Sequence, residues 1–185
     1  MSRLTLHTLQ SAPEAARPFL ENAQKNSGFI PNLLAVLANA PSALETYVTV
    51  SGINGKSELN LAEREVVQLV AATTHGCDFC VAGHTAVALN KAKLPDDVVS
   101  ALRERATLPQ EKLEVLAAFT REVIATRGKV SDATFNAFKA AGYTEGNALE
   151  VILGVSLATL CNFANVFADT PLNPELARYG VKSPQ

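Results

Sequence analysis

The chain has 185 residues, enough for one well-cored domain and short for two. With 48% hydrophobic and 18% charged residues it is rich in apolar side chains, a surplus that fits buried subunit contacts. The net charge of −2, with acidic and basic residues interspersed, excludes a nucleic-acid surface or polybasic membrane binding. The opening segment, residues 1–16, has no apolar signal core, so a cytoplasmic location is expected. In that compartment three cysteines do not make a structural disulfide framework, and a Cys-x-x-Cys pair points to redox chemistry or a metal.

In chain order, Ser11-Ala12-Pro13-Glu14 reads as a capped helix start, with the helix running to about Asn26 before Gly28-Phe29-Ile30-Pro31-Asn32 breaks it. Leu33 to Asn39 is a short apolar helix. Pro41 suits the first turn of the next, which reaches about Ile53 and ends at the Asn54-Gly55 turn. Asn60 with Glu63 forms a capping-box pattern opening a helix that carries Glu65 and ends at His75-Gly76. Another helix starts near Cys77-Asp78 and runs to about Ala92. Pro95-Asp96-Asp97 opens one more, and Pro109 precedes a longer helix from Gln110 to about Thr126, stopped by Gly128. Ser131-Asp132 caps a helix reaching Ala141-Gly142, and Thr144 caps the last, which ends before Pro171. The tail from Thr170, with three prolines, is expected to lie extended over the surface. No alternating strand pattern stands out. The expected fold is all-α, eight or nine helices in one domain over residues 1–185.

From Val151 to Ala168 no residue is charged, a stretch close to membrane-spanning length. Ser156, Thr159, Asn162 and Asn165 interrupt it and no basic cluster flanks it. The expectation is therefore a long buried C-terminal helix, central in the core or held between subunits.

The chemistry is concentrated between Glu65 and His84. Cys77 and Cys80 form a Cys-x-x-Cys pair near a helix start, and His84 lies one turn beyond Cys80 on the same face. Two antiparallel helices joined at His75-Gly76 would bring Glu65 to that face. A thiol reacts as thiolate, which a helix N-terminus and a neighbouring base both favour. His84 can take the proton, Glu65 can orient His84 or carry the proton onward, and a second thiol can capture an oxidised sulfur as a disulfide. These jobs match thiol peroxidase chemistry. The rival for the same four residues is a tetrahedral zinc site, disfavoured because there is no second Cys-x-x-Cys or close His pair and ligands on a helix seven residues apart close a tetrahedron awkwardly. Cys161 reads as a buried small hydrophobe, His75 as a helix-end residue within reach of the site, and His7 as surface.

The set Glu65-x11-Cys77-x2-Cys80-x3-His84 resembles the signature of the alkylhydroperoxidase D (AhpD)-like family, within the carboxymuconolactone decarboxylase superfamily. Gly28-Phe29-Ile30-Pro31-Asn32-Leu33, the Ala38-Asn39-Ala40-Pro41 stop, and Asn162 with Asn165 resemble its peroxidase-related branch. The resemblance implies an all-α homo-oligomer, commonly trimeric or hexameric. It further implies a peroxidase that needs no cofactor or metal and is reduced by a thiol or dithiol. It assigns peroxide attack to Cys80, disulfide closure to Cys77, and a proton relay to Glu65 and His84. One position departs: alkylhydroperoxidase D has a histidine just before the second cysteine, where this chain has Phe79. The rival functions are a decarboxylase or lyase acting on a small lactone or keto acid, and a non-enzymatic redox or metal sensor.

Overall fold

A computed structural model describes residues 2–180 and contains nine α-helices and two short 3-10 turns among them, with no strand. The all-α expectation holds. The helices are α1 Arg17–Ser27, α2 Asn32–Leu37, α3 Pro41–Asn54, α4 Leu61–Thr74, α5 Asp78–Asn90, α6 Asp96–Glu104, α7 Glu111–Thr126, α8 Asp132–Ala140 and α9 Glu145–Ala168. The 3-10 turns are Glu14–Ala16 and Pro174–Tyr179.

Local sequence sets most of the boundaries. Asn60 and Glu63 make a reciprocal capping box at the start of α4, and Thr144 and Asn147 make another at the start of α9. Ser131 Oγ accepts from the Thr134 amide at the start of α8. Ser11, expected to cap the first helix, does not. Pro13 takes the cap position there, and Ser11 Oγ accepts from the Thr8 amide instead. A 3-10 turn intervenes before α1 begins.

Helix α4 is the centre of the molecule. It packs against α5, α6, α7 and α9, and almost every residue from Glu63 to Ala72 is buried. On one side lies an aromatic-rich core in which Phe119, Phe138 and Tyr143 stack with ring centroids 4.2 and 4.6 Å apart. On the other, Leu20, Leu34, Leu37 and Leu44 surround Ala72 and the two cysteines. Gly154 lets α9 approach α4 closely: Gln68 Nε2 donates to its carbonyl at 3.0 Å, and a Cβ there would stand 3.0 Å from Val67 Cγ1.

The long C-terminal helix is present as expected, but it is buried along one side only. Its inward residues include Val151, Gly154, Leu157, Ala158, Cys161, Asn162 and Asn165. Leu149, Ile152, Phe163, Val166 and Phe167 are exposed. At 24 residues the helix is about 36 Å long, and its shorter neighbours leave part of its circumference bare. It is long and apolar enough to cross a membrane, yet it packs against α2, α3, α4, α5 and α7 as a core helix does.

The tail also departs from expectation. Residues 174–179 form a 3-10 turn against α5. Arg103 fastens it: Nη1 donates to Thr85 Oγ1 at 2.9 Å and to the Tyr179 carbonyl at 2.7 Å, and Nη2 to the Gly180 carbonyl at 2.9 Å. A guanidinium that collects three oxygens holds a prolyl segment that the sequence pattern leaves loose. Residues 181–185 lie outside the described part.

Candidate active site

The turn between α4 and α5 builds the site. His75 closes α4, Gly76 takes φ +68, and the chain reverses so that α5 runs back along α4. Cys77 is the N-cap of α5, and its Sγ accepts from the Cys80 amide at 3.4 Å. Cys80 therefore sits in the first turn, at the positive end of a 13-residue helix. One turn on, His84 meets Glu65 across the helix pair, with Nδ1 and Oε2 2.8 Å apart. The Glu65 side chain is 8% exposed and that of His84 29%. All four residues singled out by the sequence stand in one place.

Two asparagines from α9 complete the surroundings of Cys80. Asn165 Nδ2 donates to Cys80 Sγ at 3.3 Å. Asn162 lies near enough to favour charge on the sulfur, and its Oδ1 pairs with His75 Nδ1 at 2.9 Å, so His75 reaches the site through Asn162. The ring of His75 rests edge-on against Phe163, centroids 5.1 Å apart. Sequence reasoning marked Asn162 and Asn165 only through resemblance. Their i, i+3 spacing on an apolar helix, two buried amides on one face, is the signal that could have placed them at a polar site.

The electrostatics separate the two thiols. The thiol of Cys77 hydrogen-bonds to Cys80 and, against the cost of burial, brings Cys80 down to about 6; the charge of His84 and the two asparagines act in the same direction. Cys77 is pushed far up by holding that proton and by burial. Burial works against a charge on His84, but the charge and hydrogen bond of Glu65, and the negative Cys80, outweigh it and hold the imidazole above its ordinary value. At neutral pH the arrangement is a Cys80 thiolate with a protonated partner thiol beside it.

Cys80 lines an apolar cavity of about 450 Å3, shared with Phe29, Leu34, Tyr47, Glu65, His84 and Cys161. Burial first, and then the neighbouring Cys161, Cys80 and Glu65, raise the Tyr47 phenol, which therefore stays a neutral hydroxyl. Cys161 is buried, as expected, but it belongs to the cavity wall and not only to the core. Phe79, at the departing position, is also a wall residue, 8% exposed. Among the described residues, no group of three or more His, Cys, Asp or Glu is arranged to hold a metal ion. The Glu65 carboxylate is turned to His84, and Cys77 lines a different opening from Cys80.

Residues 41–122, which include Glu65, Cys77, Cys80 and His84, match the model of the carboxymuconolactone decarboxylase family. The chain carries a carboxymuconolactone decarboxylase-family segment in an AhpD-like fold. It is similar to an alkylhydroperoxidase AhpD core structure, an uncharacterized peroxidase-related protein from Ralstonia eutropha JMP134: 22% identity, TM-score 0.84, covering 95% of this chain and 94% of that one. A peroxidase-related protein from Silicibacter sp. TM1040 matches at 18% identity and TM-score 0.80, covering 95% and 93%. The debrominase Bmp8 matches at 18% identity and TM-score 0.76, covering 95% of each; its C82A form has been solved with 2,3,4-tribromopyrrole. Among curated proteins none matches the sequence. The expected fold thus holds, and the expected family is matched over residues 41–122.

Proposed function

We propose that this chain is a thiol peroxidase, needing no cofactor, that reduces hydrogen peroxide or an organic hydroperoxide through a Cys77–Cys80 disulfide. The observation that carries the reading is the 2.8 Å contact between His84 and Glu65 beside a Cys80 thiol held well below the ordinary thiol range. The Cys80 thiolate attacks the terminal peroxide oxygen. The O–O bond breaks, and the leaving alkoxide takes a proton from the His84 imidazolium, which Glu65 orients. Cys80 is now a sulfenic acid. The Cys77 thiol attacks it, the S–S bond forms, and hydroxide leaves as water with the Cys77 proton. A thiol or dithiol then restores both cysteines. Apolar walls around Cys80 favour a hydroperoxide with a hydrocarbon body.

The protein acts in the cytoplasm as a homo-oligomer, a trimer or hexamer, with the exposed apolar face of α9 covered by other copies. That face carries Leu149, Ile152, Phe163, Val166 and Phe167, more large apolar side chains than one helix ordinarily leaves to water.

The experiment is peroxide consumption under excess dithiothreitol. Cys80→Ser should abolish it. Cys77→Ser, given peroxide without dithiothreitol, should stop at a sulfenic acid that dimedone captures. Glu65→Gln should slow it on the order of a hundredfold while leaving the fold intact, since the amide keeps the shape. Peroxide loss that persists in Cys80→Ser would remove the assignment.

The same cavity supports a second reading, reductive removal of bromine from a small activated aromatic ring. Phe29, Tyr47 and Phe79 give it aromatic walls, and the fold is shared along its length with a debrominase. The ring C–Br bond becomes C–H, bromide leaves, and the two thiols supply both electrons as they become a disulfide. Bromide release from tribromopyrrole, matched by loss of two thiols, distinguishes this reading from the first.

A further inference from the structure

The C-terminal tail reaches the cavity that holds Cys80. Leu176, in the middle of the 3-10 turn Pro174–Tyr179, is one of its wall residues. Among the described residues it is the one wall residue from the tail; the others belong to α1 to α5, to α9 and to the turns between them. Leu176 is half-buried and packs against the apolar cluster that contains both Cys77 and Cys80.

The turn is tied down on both sides of Leu176. Three residues before it, Asn173 Oδ1 accepts from the Asn32 amide at 2.8 Å and Asn173 Nδ2 donates to the Ile30 carbonyl at 3.2 Å. Asn32 Nδ2 donates in return to the Pro171 carbonyl at 2.9 Å. Asn173 is 6% exposed, so this anchor is shielded from water. Three residues after Leu176, the Tyr179 carbonyl and then that of Gly180 accept from Arg103. Asn90 Nδ2 donates to Tyr179 Oη at 2.6 Å. The same guanidinium donates to Thr85, the residue after His84, so the tail is fastened to α5 beside the site.

The second anchor depends on one side chain. Among the described residues Arg103 forms no salt bridge with a carboxylate, and its charge is met by these three neutral oxygens. Hydrogen bonds from a charged donor are stronger than neutral ones, so the guanidinium is the main fastening of that end. A short segment with its own fastenings can lift while the helices stay folded. A molecule too large for the closed cavity then reaches Cys80 at a rate set by the fraction of chains in which the tail is lifted.

We propose that Leu176 sets the size of molecule that reaches Cys80, and that Arg103 is the positioning residue that holds it in the wall. With the tail fastened the cavity takes a compact hydrocarbon group, and a long or many-ringed one waits for the tail to lift. The substrate class that follows, a compact organic hydroperoxide in preference to a long-chain lipid hydroperoxide, rests on the peroxidase reading. The size limit itself does not.

The first measurement needs no turnover. Full-length reduced protein is treated with N-ethylmaleimide or N-(1-pyrenyl)maleimide, one electrophile on bodies of different size, and the adduct on Cys80 is timed by mass mapping. Leu176→Ala should raise the rate of the pyrenyl reagent relative to the ethyl one, and Leu176→Trp should lower it. Arg103→Gln should raise the same ratio about tenfold, the population change expected on losing one hydrogen bond from a charged donor. A general loosening of the fold would speed both reagents alike. A ratio unchanged in Leu176→Ala or in Arg103→Gln overturns the proposal. The second measurement is peroxide consumption under excess dithiothreitol, with tert-butyl hydroperoxide and a long-chain fatty-acid hydroperoxide. In Leu176→Ala, kcat/KM for the long-chain substrate relative to the compact one should rise, and in Leu176→Trp it should fall. Turnover with the same ratio in all variants overturns Leu176 as the size limit. Turnover of neither substrate, with the maleimide ratio shifting as expected, removes the peroxidase reading alone.

Discussion

Replacing Asn165 with leucine isolates how the protein holds charge on Cys80. The Nδ2 of Asn165 stands 3.3 Å from Cys80 Sγ, and the residue is 3% exposed. A hydrogen bond to a charged group contributes about 1.5–3 kcal/mol, and sulfur, a weak acceptor, belongs at the low end. Roughly 1.4 kcal/mol corresponds to one pH unit, so the Cys80 midpoint should rise by about one unit. From a starting point near 6, the thiolate fraction at pH 7 falls only from about 90% to about 50%. At pH 5 it falls about tenfold, and above pH 8 it is unchanged. The variant is therefore nearly silent at neutral pH and conspicuous in acid. The assay is the iodoacetamide alkylation rate of Cys80, read by mass, from pH 4.5 to 9. Folding should not suffer, because leucine is close in volume and removes the unpaired Oδ1 together with the donor. A profile that drops in parallel at every pH, or does not move, refutes the electrostatic role of Asn165.

Removing the imidazole with His84→Ala should raise the Cys80 midpoint and slow alkylation at pH 7, because His84 holds its proton more firmly than usual and faces Cys80. Chelator should change neither protein; acceleration by chelator, with one zinc per chain in the unmodified protein, would replace the peroxidase reading with a metal site. In the unmodified protein the raised His84 value contributes stability that is complete below about pH 6.5 and lost as pH rises through the folded value. Glu65→Gln should flatten that part of a melting-temperature profile, and an unaltered slope between pH 6 and 8 counts against the pairing. Leu149→Glu with Phe167→Glu should lower the mass seen by light scattering, and a monomeric unmodified protein at micromolar concentration rejects the oligomer. Gly154→Ala gains about 1 kcal/mol of helix propensity but crowds the buried Val67, a cost of about 1–3 kcal/mol, so the melting temperature should fall; a rise would mean α4 and α9 have slack between them.

Much of the fold was legible because it is local. The capping box at Asn60–Glu63 and the Thr144 cap need only a few consecutive residues, and both formed as read, with Asn147 completing a second box that the sequence reading did not name. Ser11 misled because a serine beside a proline can bond within its own turn as readily as to a helix, and here it serves Thr8. The Glu65–His84 contact was also within reach, since a glycine at φ +68 between two apolar helices permits an antiparallel return.

What the sequence determined alone, then, is where most helices start, that Cys77, Cys80 and His84 follow one another along one face over the first half of α5, and that Glu65 can fold back onto them. Each follows from backbone geometry over twenty residues or fewer. Tertiary structure decided the rest. It brought Asn165 to Cys80 across 85 positions of sequence, sank α4 where α9 was the more apolar candidate, and tied the tail down through Arg103. It also placed Cys77 and Cys80 on two different openings. The reason is that packing depends on which faces meet and how long each helix is. The 24-residue α9 outreaches its neighbours and leaves phenylalanines bare, while the 14-residue α4 is short enough to be covered all round.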